Sequence, residues 1–300
     1  MSSLAVAALF CGIFCVICSS LSESPVLTQK ESLVYEQLQQ RNCGSSVSSL
    51  NHNFNGSGRR ALLMSQPWIA LIYAKHDINS CRCGGALISE SFVLTSAHCL
   101  AFCPSSREFI VRLGEHNIES QEDCISNDQQ TICAPPVEDF IVSKSIFHDN
   151  FLYSRLRNDI ALLRLSRKVV FKDHIRPICL PLTNNLQSLT SEIGQSYISF
   201  RWKRAGELFQ TLIEEKVKTE PCPVDTHESF LCTIEDTACQ ENSGGPLTHL
   251  SNYFGLSRHV IFGLASHGKD PCGPSQRAYY TDVSLFMPWV LKTLAKFATL

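Results

Sequence analysis

The chain has 300 residues, 44% of them hydrophobic and 18% charged, with a formal net charge of -2. That length supports one or two domains with a sizeable core, and the composition excludes a disordered chain. The balanced charge excludes an electrostatic footprint for nucleic acid or an anionic membrane; basic residues are scattered, apart from the pair Arg59-Arg60.

The first element is apolar. LAVAALFCGIFCVIC runs from Leu4 to Cys18, followed by small residues from Ser19 to Ser24. It falls short of the roughly 20 residues that span a bilayer. Residues 1–22 are therefore expected to be a secretory signal, cut near Ser20 or Ser22. The leader lacks Lys and Arg ahead of its apolar run, which leaves an uncleaved anchor as the rival reading. Three of the fifteen cysteines (Cys11, Cys15, Cys18) lie in this leader. The other twelve show no metal-site CxxC pairs and predict six disulfides made in an oxidising, extracellular compartment.

Residues 23–60 are polar and rich in Ser, Asn and Gln, with one cysteine, Cys43, and an N-glycosylation sequon at Asn55. They predict a pro-segment or linker, and residues 61–300 one folded domain. From Pro67 onward come short apolar runs: WIALIYA, ALISESFVLTSA, EFIVRLG, FIVSKSIF, DIALLRL and HVIFGLAS. Their length, their Val, Ile and Phe content and the polar turns between them predict an all-β barrel or sandwich. The stretch from Phe286 to Leu300 carries Val290, Leu294 and Phe297 at helical spacing and predicts a C-terminal helix.

Three strings bear chemistry. VLTSAHC places His98 at the end of an apolar run, NDIALLRL opens another with Asp159, and CQENSGGPL sets Ser243 before two glycines. Singly, they read as a surface histidine, a turn aspartate and a flexible loop. In the order His, Asp, Ser they resemble the trypsin/chymotrypsin-like serine proteases. PWIAL, CGGALI, RPICLPL, SHG and YYTDVSLFMPWV support the resemblance, which covers about 65–295.

The resemblance implies two six-stranded antiparallel β-barrels with a C-terminal helix, and no cofactor. Ser243 would be the nucleophile, His98 the general base and acid, and Asp159 the carboxylate that orients the imidazole. A hydroxyl is a poor nucleophile until a base takes its proton, and histidine titrates in the right range for that task. The backbone N–H groups of Glu241 and Ser243 would form the oxyanion hole, and Thr237, Ser266, Gly268 and Ala278 the substrate pocket. The family pairing implies Cys43-Cys179, Cys83-Cys99, Cys222-Cys232 and Cys239-Cys272. Cys124-Cys133 is similar to a loop disulfide of insect clip-type proteases, although residues 1–60 carry no six-cysteine clip pattern. Parity leaves Cys81-Cys103. One family disulfide is missing, with His249 and the stretch around Phe200 where its cysteines would stand.

The sequence also departs from the family. Active members read Gly-Asp-Ser-Gly-Gly where this chain has Glu241-Asn242-Ser243-Gly244-Gly245. Glutamate brings a Cβ and a negative charge to the oxyanion hole. Asn242 cannot balance a buried N-terminal ammonium as an aspartate does. The expected activation start falls on Asn55, after Phe54, with no basic residue before it; Arg59-Arg60 offers an alternative cut on a shorter tether. Thr237 stands at the pocket floor, six before Ser243, so a non-basic preference is expected unless Asp236 substitutes. Glu115, in RLGEHN, reads as an exposed strand-end residue or as part of a calcium loop. Two functions follow as expectations: a secreted serine endopeptidase acting on protein or peptide, or an inactive homologue that binds a partner in a protease cascade. Serpin-type inhibitors and other cascade proteases are the further partners expected.

Overall fold

The computed structural model describes residues 27–40, 42–46, 58–78, 81–103, 108–126, 131–202, 211–224, 226, 229–235, 243–268 and 276–298. Helix α1 (Gln29–Gln40) and the short strand β1 (Arg59–Arg60) precede the barrels. The first barrel is built from β2 (Ile69–Ala74), β3 (Cys83–Ser89), β4 (Phe92–Thr95) and β5 (Phe109–Leu113), with β8 (Glu138–Phe147) and β9 (Ala161–Leu165). These close in the order β2-β3-β4-β9-β8-β5, every pair antiparallel. Between β5 and β8, the hairpin of β6 (Cys124–Ser126) and β7 (Thr131–Cys133) projects with exposed residues.

The second barrel comprises β10 (Ser196–Trp202), β11 (Leu212–Glu220), β12 (Phe230–Glu235), β13 (Pro246–Tyr253), β14 (Leu256–Gly268) and β15 (Gln276–Asp282). Its order is β11-β10-β13-β14-β15-β12, closed by pairing of β12 with β11, and β1 lies outside against β11. Short helices α2 (Ala97–Ala101) and α3 (Asn184–Gln187) sit in connections, and α4 (Met287–Ala295) ends the domain. The expected two-barrel fold with a C-terminal helix is what forms. Closure removes the sheet edges that short hydrophobic strands would otherwise expose.

The polar segment before the barrels is more than a tether. α1 packs on α4, burying Val34 and Leu38, and the Leu38 carbonyl accepts a hydrogen bond from Tyr253. Cys43 then bonds to Cys179, fixing the segment to the junction between barrels. Arg59 and Arg60 pair with Glu214 and Ile213 of β11, and the Arg59 guanidinium meets the buried Glu214 carboxylate at 2.7 Å. Ala61 is also buried, its N–H donating to Leu212. The dibasic pair thus sits in an outer strand, with Arg60 exposed and Ala61 after it buried.

Five disulfides form among the described residues, Cys43-Cys179, Cys81-Cys103, Cys83-Cys99, Cys124-Cys133 and Cys222-Cys232. Cys239 and Cys272 lie outside them. In place of the missing family disulfide, His249 packs edge-on against Tyr197, ring centroids 5.8 Å apart. Its Nδ1–H donates to the Ser196 carbonyl at 2.8 Å, which leaves Nε2 to accept from Gln195 at 3.1 Å. Burial holds this imidazole below its usual pKa, in the neutral form those bonds require. The position opposite His249 is thus Tyr197 rather than Phe200, which is a core residue three positions further along β10.

Candidate active site

His98 follows β4, in the first turn of α2, with the Cys83-Cys99 bridge tying that turn to β3. Asp159 immediately precedes the run that becomes β9, which pairs with β4, so strand register brings the two together. The Asp159 Oδ1 accepts the His98 backbone N–H at 2.8 Å, and Oδ2 lies 2.7 Å from His98 Nδ1. Asp159 is fully buried and His98 nearly so. Two hydroxyls from the second barrel reach Asp159: Ser266 donates to its Oδ2 at 2.5 Å, and Thr281 to its backbone carbonyl at 3.0 Å. Three donors thus converge on the buried carboxylate. It holds the imidazole with its proton on Nδ1, so that Nε2 is the basic nitrogen.

Ser243 opens the other side of the cleft. Its carbonyl accepts the Gly84 N–H at 2.8 Å, while Gly244 donates to Ala265 at 2.7 Å and Gly245 accepts from Ala265 at 2.9 Å. Gly244 has φ of +77°, and a Cβ there would lie 2.4 Å from both the Gly84 carbonyl and Thr95 Oγ1. A Cβ on Gly84 would in turn sit 2.7 Å from Gly245 Cα. Glycines on both sides let the two barrels meet backbone to backbone, and this seam positions Ser243.

A cavity of about 350 Å3 lies between the barrels, lined by His98, Ser243, Ser266, His267, Phe102 and Leu156 among others. Ser243 and His98 thus line one cleft, with Asp159 buried and bonded to the imidazole Nδ1. Part of its lining had no signal in the sequence motifs. Phe102 is 55% exposed, with its ring 5.9 Å from His98 and 4.3 Å from that of Tyr153, itself 45% exposed. His267 stacks on Tyr279 at 4.3 Å and meets Phe230 edge-on, and burial lowers its pKa. Two large exposed aromatics at the rim of a cleft were findable only from the fold, because scattered surface aromatics are common.

This geometry matches a known family. The sequence profile described as Trypsin fits residues 56–290. The chain belongs to the trypsin family. Among relatives of this trypsin-family chain, the serine protease grass of Drosophila melanogaster is 33% identical over 269 residues, covering 84% of this chain and 70% of that protein. The CLIP domain-containing serine protease HP8 of Bombyx mori is 35% identical over 251 residues, covering 76% of this chain and 66% of that protein. The crystal structure of the Drosophila Grass clip serine protease of the Toll pathway superposes with a TM-score of 0.76 at 30% identity, covering 89% of this chain and 79% of that one. The chain thus spans about two thirds of the length of these insect relatives.

The structure places the remaining sequence candidates unequally. Gly268 and Ala278 face each other across the β14–β15 pair. Ser266 turns its hydroxyl to Asp159, so it acts as a positioning partner of the acid as well as lining the cleft. Glu241, Asn242, Thr237, Asp236, Phe54 and Asn55 lie outside the described residues. Glu115 is buried, not exposed: its oxygens accept from the His116 N–H and from Arg112, and burial and the neighbouring Asp123 raise its pKa. Among the described residues, one group of three potential ligand atoms lies close enough to share a metal, at Glu122, Cys124 and Cys133. Its two sulfurs are bonded to each other. No helix among the described residues is long and apolar enough to cross a membrane.

Proposed function

We propose that this chain is a secreted serine endopeptidase that cleaves a protein substrate in an extracellular protease cascade. The observation that carries the proposal is the cleft lined by both Ser243 and His98, where a fully buried Asp159 accepts from the imidazole Nδ1–H. The Ser243 hydroxyl would attack the scissile carbonyl as its proton passes to His98 Nε2. The imidazolium, balanced by Asp159, would then give that proton to the leaving amine, and water would release the acyl group by the same route in reverse. The backbone N–H groups of Glu241 and Ser243 would take the developing oxyanion, and Ser266, Gly268 and Ala278 would line the pocket with Thr237 beyond. Relatives named the Spaetzle-processing enzyme and Melanization protease 1, both of Drosophila melanogaster, support a cascade setting. Five disulfides and the apolar leader support secretion, Asn55 would carry a glycan, and serpin-type inhibitors would dock in the same cleft.

Glu241 and Asn242 favour a second reading, in which the same cleft binds a partner without cleaving it. Fluorophosphonate labelling of the secreted protein, before and after limited trypsin treatment, separates the two. Labelling abolished by Ser243→Ala is the expected result. Folded protein that takes no label in either state would sink the endopeptidase and leave the binding protein.

A further inference from the structure

A second concavity lies on the outer face of the first barrel, apart from the cleft. This groove, of about 500 Å3, is bounded by α1, the end of α4 and the turn from β3 to β4. It shares no lining residue with the cavity that holds His98 and Ser243. Leu38, Phe92, Leu294 and Phe297 give it apolar walls, and Arg164 and Lys168 give it cations.

Strand register sets the charge of this surface. Phe92 of β4 stands opposite Arg164 of β9, and Arg164 stands opposite Lys144 of β8. Residues directly opposite share a face, so one row across three strands carries a ring and two cations. Like charges placed directly opposite destabilise a sheet. Phe297 lies over the row, its ring 5.5 Å from that of Phe92, 4.8 Å from the Arg164 guanidinium and 5.6 Å from Lys144 Nζ. A ring face offsets part of the repulsion but brings no negative charge. Among the described residues, neither Arg164 nor Lys144 forms an ion pair, whereas their neighbours do. Arg167 meets Glu138 at 3.4 Å, and Lys168 meets Glu90 at 3.0 Å.

We propose that this groove is a docking site for an acidic peptide segment of a partner protein. Carboxylates of the segment meet Arg164, Lys144 and Lys168, and an apolar side chain beside them enters the space walled by Phe92 and Phe297. Charge complementarity carries the assignment, since a carboxylate removes the cross-strand repulsion and pairs with the guanidinium through two hydrogen bonds. The apolar walls favour a peptide over a sulfated glycan, which has no apolar side chain to bury. With a net charge of -2, the chain also has no broad positive field to hold a polyanion. Because groove and cleft are lined by separate residues, the partner is held while the cleft stays open.

The test needs no catalysis, so it stands or falls apart from the fluorophosphonate result. Fluorescence anisotropy of the full chain as Ser243→Ala, which keeps the probe from being cut, compares two dye-labelled peptides. One alternates glutamate with phenylalanine, and the other has glutamine for every glutamate. The acidic peptide is expected to bind about tenfold more tightly, and the difference to shrink as salt is raised. Arg164→Gln combined with Lys144→Gln should abolish that preference while leaving the glutamine peptide unchanged. Glu90→Gln frees Lys168 and should tighten the acidic peptide about threefold, a gain that no folding defect would imitate. Equal binding of the two peptides, or binding of neither, would overturn the proposal, as would an acidic preference that survives in the double variant. A heparin oligosaccharide that binds more tightly than the acidic peptide and is lost in the same double variant would give the cations to a glycan instead. Peptide binding that appears only once residues 299–300 are removed would assign the groove to the chain itself and overturn the partner.

Discussion

Asp159 and Glu235 are both carboxylates sealed inside the barrels, yet the fold treats them oppositely. Asp159 has a donor on each oxygen and a third from Ser266, so its charge is spread over a prepared shell. Glu235 has both its donors on one oxygen and none on the other. Burial is nearly the same in the two cases. What separates the two buried acids is therefore the distribution of donors, not depth.

The sharpest way to break this contrast is Asp159→Asn. The amide cannot accept a proton-donating Nδ1–H and also stabilise the imidazolium, so the rate of fluorophosphonate labelling should fall about 10⁴-fold, the loss typical of this triad. A fall under tenfold would mean that Asp159 does not orient His98. Next in size is the dependence of stability on pH. Glu235 has a folded pKa of about 7, above its ordinary 4.5, so the folded state retains a proton that the unfolded chain releases. Its contribution is fully favourable below about 4.5 and is lost as pH rises through about 7, a change on the order of 3 kcal/mol. Denaturant titrations of wild type and Glu235→Gln at pH 5 and pH 8 should show the variant gaining relative stability at the higher pH. Parallel curves at both values would remove Glu235 from the class of strained acids. The smallest effect belongs to Ser266→Ala, which takes one donor from Asp159 and leaves two. Labelling should slow about tenfold, with its pH midpoint moved, since a hydrogen bond to a charged group is worth about 1.5–3 kcal/mol. An unchanged rate and midpoint would reduce Ser266 to a lining residue.

Much of the fold was legible in the chain because barrel strands are local signals. WIALIYA and FIVRL became β2 and β5 with little change, and the apolar spacing of Val290 and Leu294 marked α4. His98, Asp159 and Ser243 could be singled out only as an ordered set, since each string alone reads as an ordinary surface or loop residue. α1 was not, since its 12 residues bury little beyond Val34 and Leu38 and its partner helix lies far along the chain. Tyr197 and His249 were hidden for a related reason: a ring contact replaces a covalent pair without leaving a motif. Glu235 could have been flagged by one cue, a lone acid alternating with Thr233 in the apolar run FLCTIE. Its place opposite Gln276 depends on the pairing of β12 with β15, which no local pattern encodes.

The glycine seam between Gly84 and Gly244 has a consequence for biosynthesis. Gly84 emerges from the ribosome well before Ser243, and the first barrel with its His98–Asp159 pair can be assembled while the second is still being made. Ser266 and Thr281, which complete the surroundings of Asp159, arrive later still. The cell therefore makes His98 and Asp159 first and the setting of Ser243 last, so that a chain interrupted in synthesis carries only half of the cleft.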